Sequence, residues 1–294
     1  MSAPVSIVVP TYNRLRVLRE TIHSYLDQPR MGEVVVVDDG GGDGTFAWLS
    51  ALAREHPSLK PVRVEPNGGS PEARNRGIRE AAGDWILCVD DDVILDPLYA
   101  SVLLAHAEEG GFQVMAGRRL WLRPGETPPV AERRLAGESR APAVNTRLLQ
   151  VNDCARGDRD LALPLVQAVM LVHRDVFRAV RYDPRYAVNA WREESDFQLS
   201  ALEKGFRIGF CPHTACYHTP KELAGGGGGQ RSASRLRYEW NLLRNNRRFL
   251  EKHRAFLSGV TPEAVNGPLW WLVLRAYVQG RLLDKARRVL GDAA

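Results

Sequence analysis

Lysine is scarce in this 294-residue chain: of its 40 Lys and Arg residues, only those at 60, 204, 221, 252 and 285 are lysine. The positive charge is therefore nearly all arginine, whose planar fork suits bidentate binding of carboxylate and phosphate. The net charge is a modest +5. No basic tract is interleaved with aromatics, so a nucleic-acid partner is not expected. No apolar run reaches membrane-spanning length. The cysteines Cys88, Cys154, Cys211 and Cys216 lack disulfide-scaffold spacing. Cys211, Cys216 and His218 fit no standard zinc pattern. With no signal-peptide pattern before the strand at Val5, a reduced, cytoplasmic protein is expected. There is no G-x-G-x-x-G after the first strand and no G-x-x-x-x-G-K-[ST] anywhere. That argues against a dinucleotide fold and against a P-loop enzyme.

What is present centres on Trp85-Ile86-Leu87-Cys88-Val89-Asp90-Asp91-Asp92. The apolar run reads as a strand buried on both faces. Three adjacent acids cannot share that interior, because unpaired buried charge costs several kcal/mol or more. They belong on the rim at the strand's C-terminal end, where open α/β sheets bind ligands. A hard divalent cation with oxygen ligands would relieve their repulsion. The bland alternative is an acidic turn in which Asp92 or Asp96 caps the next helix.

The chain before this stretch repeats strand and helix. Val5–Val9, Val34–Val37 and Pro61–Val64 read as strands, and helical spacing follows each. Ser70 reads as an N-cap, with Pro71 in the first helical turn. Such alternation predicts a mainly parallel sheet with helices on both faces. Pro10, Thr11, Tyr12, Arg14, Asp38, Asp39, Asn67 and Asp90 to Asp92 all follow strands, which describes a nucleotide pocket on one rim. The second half reads differently. A strand over 112–122 is followed by a proline- and glycine-rich excursion over 124–142, then by a helix that Trp191-Arg192-Glu193-Glu194-Ser195-Asp196 opens. A strand over 206–217 ends at His218. Gly225–Gly229 reads either as a linker or as a hinged lid that would carry Arg231 onto phosphates. Residues 268–290 read as a basic amphipathic helix with Trp270 and Trp271. It suits an anionic membrane surface, or docking on the catalytic domain or on a second subunit as a homodimer.

The stretches Ser6–Asn13, Val35–Gly40, Asn67-x-Gly69, Ala73-Arg74-Asn75-x-Gly77 and Gly83-Asp84 up to Asp90–Asp92 resemble the family 2 glycosyltransferases of the GT-A fold. The match covers most of residues 5 to 220, in order. The resemblance implies an α/β sheet sandwiched by helices, with a C-terminal helical extension. It implies a nucleotide-sugar half (1–110), an acceptor and catalytic half of the same domain (111–222), and a lid with C-terminal helices (223–294). Thr11, Tyr12 and Asp39 would hold the nucleobase and ribose, with Arg74 at the diphosphate. The acids would be the D-x-D motif, with Asp92 and Asp90 binding Mn²⁺ or Mg²⁺ and Asp90 or Asp91 contacting ribose and sugar. His218 would join the metal or the diphosphate. Glu194 would be the general base, with Glu193 as the alternative. Glu194 stands where the family has aspartate, and Gln167-Ala168 replaces its usual pair of small residues. Trp191, Gln167 and Asp196 would meet the acceptor. The expected activity is inverting transfer from a UDP- or dTDP-sugar to a saccharide or lipid-linked hydroxyl. A nucleotidyltransferase and a non-catalytic sugar-nucleotide-binding protein are the alternatives.

Overall fold

The computed structural model describes residues 5–136, 143–145, 149–186, 190–220, 222–223 and 235–278. The first half runs β1 (Val5–Thr11), α1 (Leu15–Leu26), β2 (Met31–Asp38), α2 (Thr45–Leu52), β3 (Leu59–Arg63), α3 (Ser70–Glu80), β4 (Trp85–Cys88), β5 (Val93–Leu95) and α4 (Tyr99–Gly110). The second runs β6 (Val114–Trp121), α5 (Pro128–Arg134), β7 (Val144–Asn145), β8 (Gln150–Val151), β9 (Leu161–Ala162), β10 (Met170–His173), α6 (Arg174–Ala179), α7 (Glu193–Glu203), β11 (Ile208–His218), α8 (Arg235–Val260) and α9 (Pro262–Val265).

Strand residues alternate between two cores, because successive side chains point to opposite faces of a sheet. Ile7, Val9, Val36 and Leu87 pack with Leu18 and Ile22 of α1, Leu49 of α2 and Leu103 of α4. Val8, Val35, Val37 and Ile86 pack on the other face with Ile78 of α3, Val176 of α6 and Phe197 of α7. Both faces being covered explains why the strands read as unbroken apolar runs. The main sheet has the order β3-β2-β1-β4-β10-β6-β11-β5, with β9 paired to β11. The β3-β2-β1-β4 portion is parallel. β10 runs antiparallel to both β4 and β6, and β11 returns parallel to β6. The sheet is thus mixed and mainly parallel.

α3 lies very close to the sheet at Gly77. A Cβ added there would overlap Val8 Cγ1 and come within 3.0 Å of Val37 Cγ2. Gly77→Ala is accordingly expected to destabilise the protein by about 1–3 kcal/mol, the usual cost of overpacking a filled core. Urea unfolding measures this; an unchanged midpoint would show that α3 can lift off freely.

Several sequence expectations change. Ser70 does not cap α3: Gly69 occupies that position with φ of 83°, and no side-chain cap forms. The Ser70 hydroxyl instead donates across the fold to Glu193. The acids do not lead straight into a helix, because β5 intervenes and pairs antiparallel with β11. The proline-rich excursion contains α5, which Pro128 and Pro129 start at its first turn, where no amide donor is needed. Apart from His213, β11 is buried throughout, being covered on both faces. Residues 269–278 are helical. Leu272 docks into a cluster with Phe249, Leu257 and Val265 while Trp270, Trp271, Leu274 and Val278 remain exposed. No described helix is long and apolar enough to cross a membrane. Gly225–Gly229, Arg231 and the rest of the amphipathic stretch to 290 lie outside the described residues.

Candidate active site

Parallel pairing brings the ends of β1, β2 and β4 to one rim. Thr11 is in register with Asp38, and Val8 with Cys88. The Asp39 amide donates to the Thr11 carbonyl at 2.9 Å, locking the two loops together. Asp39 then accepts from the Gly68 and Gly69 amides at 2.9 and 2.8 Å. Asn67 Nδ2 donates to the Asp39 carbonyl at 2.9 Å. Burial pushes the Asp39 carboxyl up, against those backbone donors. Pro10 and Tyr12 are half-buried along the same edge.

The three acids fall into distinct environments. Asp91 is buried, accepting from Thr11 Oγ1 and from Arg14 Nη1, each at 2.7 Å. Burial pushes its carboxyl up to about 7 despite Arg14. Arg14 forks, its Nη2 reaching Asp92 Oδ2 at 2.8 Å. Asp90 and Asp92 converge with His218, and one ligand atom from each lies within 4.8 Å of the others. His218 Nδ1 is 3.3 Å from Asp92 Oδ1. Both ring nitrogens are buried without a hydrogen-bond partner among the described residues. Burial lowers its pKa, against the pull of Asp92. Two carboxylates and an imidazole whose nitrogens have no partner among the described residues fit a divalent cation. The indole of Trp121 stacks on that imidazole, with ring centroids 4.0 Å apart and an interplanar angle of 10°.

Arg74 is the hub on the other side. It is buried, and its Nη2 donates to Asp90 Oδ1 at 2.5 Å while its Nη1 donates to Ser70 Oγ at 2.6 Å. Nη1 also contacts Glu193, and Nη2 lies 3.4 Å from Glu194 Oε1. Burial alone would lower the arginine's pKa, but Asp90 and Glu194 hold it above the ordinary value. Asp90 is itself lowered: burial would raise it, and Arg74 then His218 outweigh that. Glu193 is fully buried and accepts from Ser70 Oγ at 2.9 Å. The Glu194 side chain is 25% exposed. Burial raises its carboxyl, against the pull of Arg74. The rim therefore holds one enclosed, fixed carboxylate and one open, weakly acidic one.

Two expected acceptor residues are corrected. Gln167 points into the core. Its amide donates to Tyr99 Oη at 3.0 Å and to the Gly117 carbonyl at 3.2 Å, while its Oε1 accepts from the Val169 amide at 3.0 Å. A buried amide spends its donors and acceptor internally, because leaving one unmade costs about 1–3 kcal/mol. Asp196 is also internal. It accepts from Tyr186 Oη at 3.1 Å, from His253 Nε2 at 3.0 Å and from Lys252 Nζ at 2.8 Å. It binds α7 to α8 rather than facing the rim. Trp191 is 39% exposed beside α8, its indole donating to Asn246 Oδ1 at 3.4 Å.

Sequence reasoning missed Ser70, Trp121 and Arg119. Arg119 is paired with Asp153 at 2.5 Å, and its charge helps lower Asp90. Trp121 ends β6 beside the end of β11, a placement readable only once those strands are known to be neighbours.

This fold and rim carry the pattern described as Glycosyl transferase family 2, which matches residues 6–153, and the chain belongs to that family. It is 31% identical over 118 residues to Glycosyltransferase GlyG of Streptococcus pneumoniae, an overlap covering 40% of this chain and 39% of that protein. It is 34% identical over 111 residues to the succinoglycan biosynthesis protein ExoO of Rhizobium meliloti, covering 37% of this chain and 31% of that one. The chain thus matches well under half the length of these relatives. In fold it resembles the crystal structure of Staphylococcus aureus TarS 1–349 in complex with UDP-GlcNAc. The TM-score is 0.58 at 20% identity, covering 94% of this chain and 81% of that one.

Proposed function

We propose that the protein transfers a sugar, with inversion, from a nucleoside diphosphate sugar to an acceptor hydroxyl. The observation that carries this is Arg74, which ties the acidic triplet through Asp90 to the glutamate pair through Glu193 and Glu194. A divalent cation, Mn²⁺ or Mg²⁺, held by Asp90, Asp92 and His218 would neutralise charge developing on the leaving diphosphate. Thr11, Tyr12 and Asp39 hold the nucleobase and ribose, and Arg74 supplies further positive charge. Glu194 takes the acceptor hydroxyl proton as that oxygen bonds to the anomeric carbon. The bond to the diphosphate breaks on the opposite face, so configuration inverts. Glu194 suits the role better than Glu193, because it is partly open and its carboxyl is raised toward working pH. Glu193 instead fixes Arg74 and Ser70. The likeness to a UDP-GlcNAc complex supports a UDP-linked donor. The likeness to ExoO supports a saccharide acceptor in polysaccharide assembly.

A thermal-shift screen of UDP- and dTDP-sugars, with and without Mn²⁺, tests the donor. Ligand at 100 times its Kd stabilises the folded state by about 2.7 kcal/mol, so a clear rise in Tm is expected for one donor class. No shift with any nucleoside diphosphate sugar in either condition would sink the proposal.

A further inference from the structure

A second group of metal-binding side chains lies away from the rim. His106 is on α4, Asp160 immediately precedes β9, and Cys211 is in β11. β11 breaks register with β6 here: Phe210 pairs with Ala116 and Ala215 with Arg118. The residues from Cys211 to Thr214 therefore stand opposite Gly117 alone, a wide bulge. Bulges re-aim side chains and cluster next to functional sites. This one sets the His213 imidazole against that of His106, with centroids 4.9 Å apart and the planes at 24°. His106 Nδ1 is 2.8 Å from Asp160 Oδ2. One ligand atom from each of His106, Asp160 and Cys211 lies within 4.8 Å of the others. Asp160 Oδ1 is buried with no hydrogen-bond partner of ordinary geometry among the described residues, and the fully buried Cys211 thiol interacts with the same carboxylate.

We propose that His106, Asp160 and Cys211 form a structural site for a zinc-class transition metal. Nitrogen, oxygen and sulfur donors together favour such an ion over Mg²⁺, which prefers oxygen alone. On binding, the Cys211 thiol loses its proton to solvent and its sulfur bonds to the metal. The ion would fasten α4 to β9 and β11. It is distinct from the rim. Ala116 and Trp121, the partners of Phe210 and His218, are separated along β6 by roughly 16 Å at ~3.3 Å per residue.

Cobalt(II) is the probe, titrated into the full-length protein after chelator treatment. A near-ultraviolet thiolate-to-cobalt absorption band should appear and saturate at one equivalent per chain. The rim cluster has no sulfur ligand, so Asp92→Asn should keep the band. Cys211→Ser should abolish it, and His106→Gln should weaken Co²⁺ binding by at least ~10-fold. No band at any ratio, or a band that survives Cys211→Ser, would overturn the site. Cys211 is buried and its replacement can impair folding. His106 is partly exposed, so an unchanged affinity in folded His106→Gln would equally overturn it, leaving only a hydrogen-bonded His–Asp pair.

Discussion

Asp92→Ala is expected to lower the rate of sugar transfer by roughly 10²–10³-fold or more, the scale of losing a main stabiliser of developing negative charge. The same variant should lose the gain in UDP affinity that Mn²⁺ gives the wild type, while UDP binding without metal changes little. The fold should persist, because Asp92 is at the rim and Arg14 keeps its 2.7 Å pair with Asp91. Isothermal titration of UDP in the presence and absence of Mn²⁺ reads this without reference to turnover. If Asp92→Ala binds UDP in Mn²⁺ as tightly as wild type, the assignment of Asp92 as a ligand is wrong. Asp91→Asn provides the contrast. Asp91 is buried against Thr11 and Arg14, outside the cluster of Asp90, Asp92 and His218, so its loss should act through the loop and not through the metal dependence.

Glu194→Gln is expected to cut kcat by about 10²–10⁴-fold, the usual contribution of a general base, with UDP affinity nearly intact. The sign of the pH dependence follows from its environment. A base works deprotonated, and burial raises this carboxyl above the ordinary glutamate range. The wild-type rate should therefore climb as pH rises through that raised pKa and fall away in acid. In Glu194→Gln this acidic limb should vanish. Glu193→Gln should behave differently, loosening Arg74 and Ser70 and thereby weakening donor binding as well as turnover. Near-wild-type turnover in Glu194→Gln, with an acidic limb that disappears only in Glu193→Gln, would reverse the two roles.

The sequence by itself determined the strand and helix order from β1 to β4, the location of one polar rim, and the acids just beyond β4. These follow from local causes. A strand buried on both faces needs an unbroken apolar run, and charge cannot continue into it. Period-two alternation then assigns Val8 to one core and Val9 to the other. Gln167 and Asp196 were placed at the acceptor by family resemblance, which cannot tell which way a polar side chain turns in this chain. That depends on whether Tyr99 or His253 waits inside to satisfy it. The hydroxyl of Ser70 was assigned to the nearest helix end, while its partner Glu193 stands 123 residues away. Only the tertiary structure decided that α3 and α7 share a face of the sheet, bringing Arg74 against Glu193 and Glu194. Only it brought Cys211 together with His106 and Asp160. Long-range pairs of this kind are set by how whole elements pack, and a chain read in order holds no local signal for them.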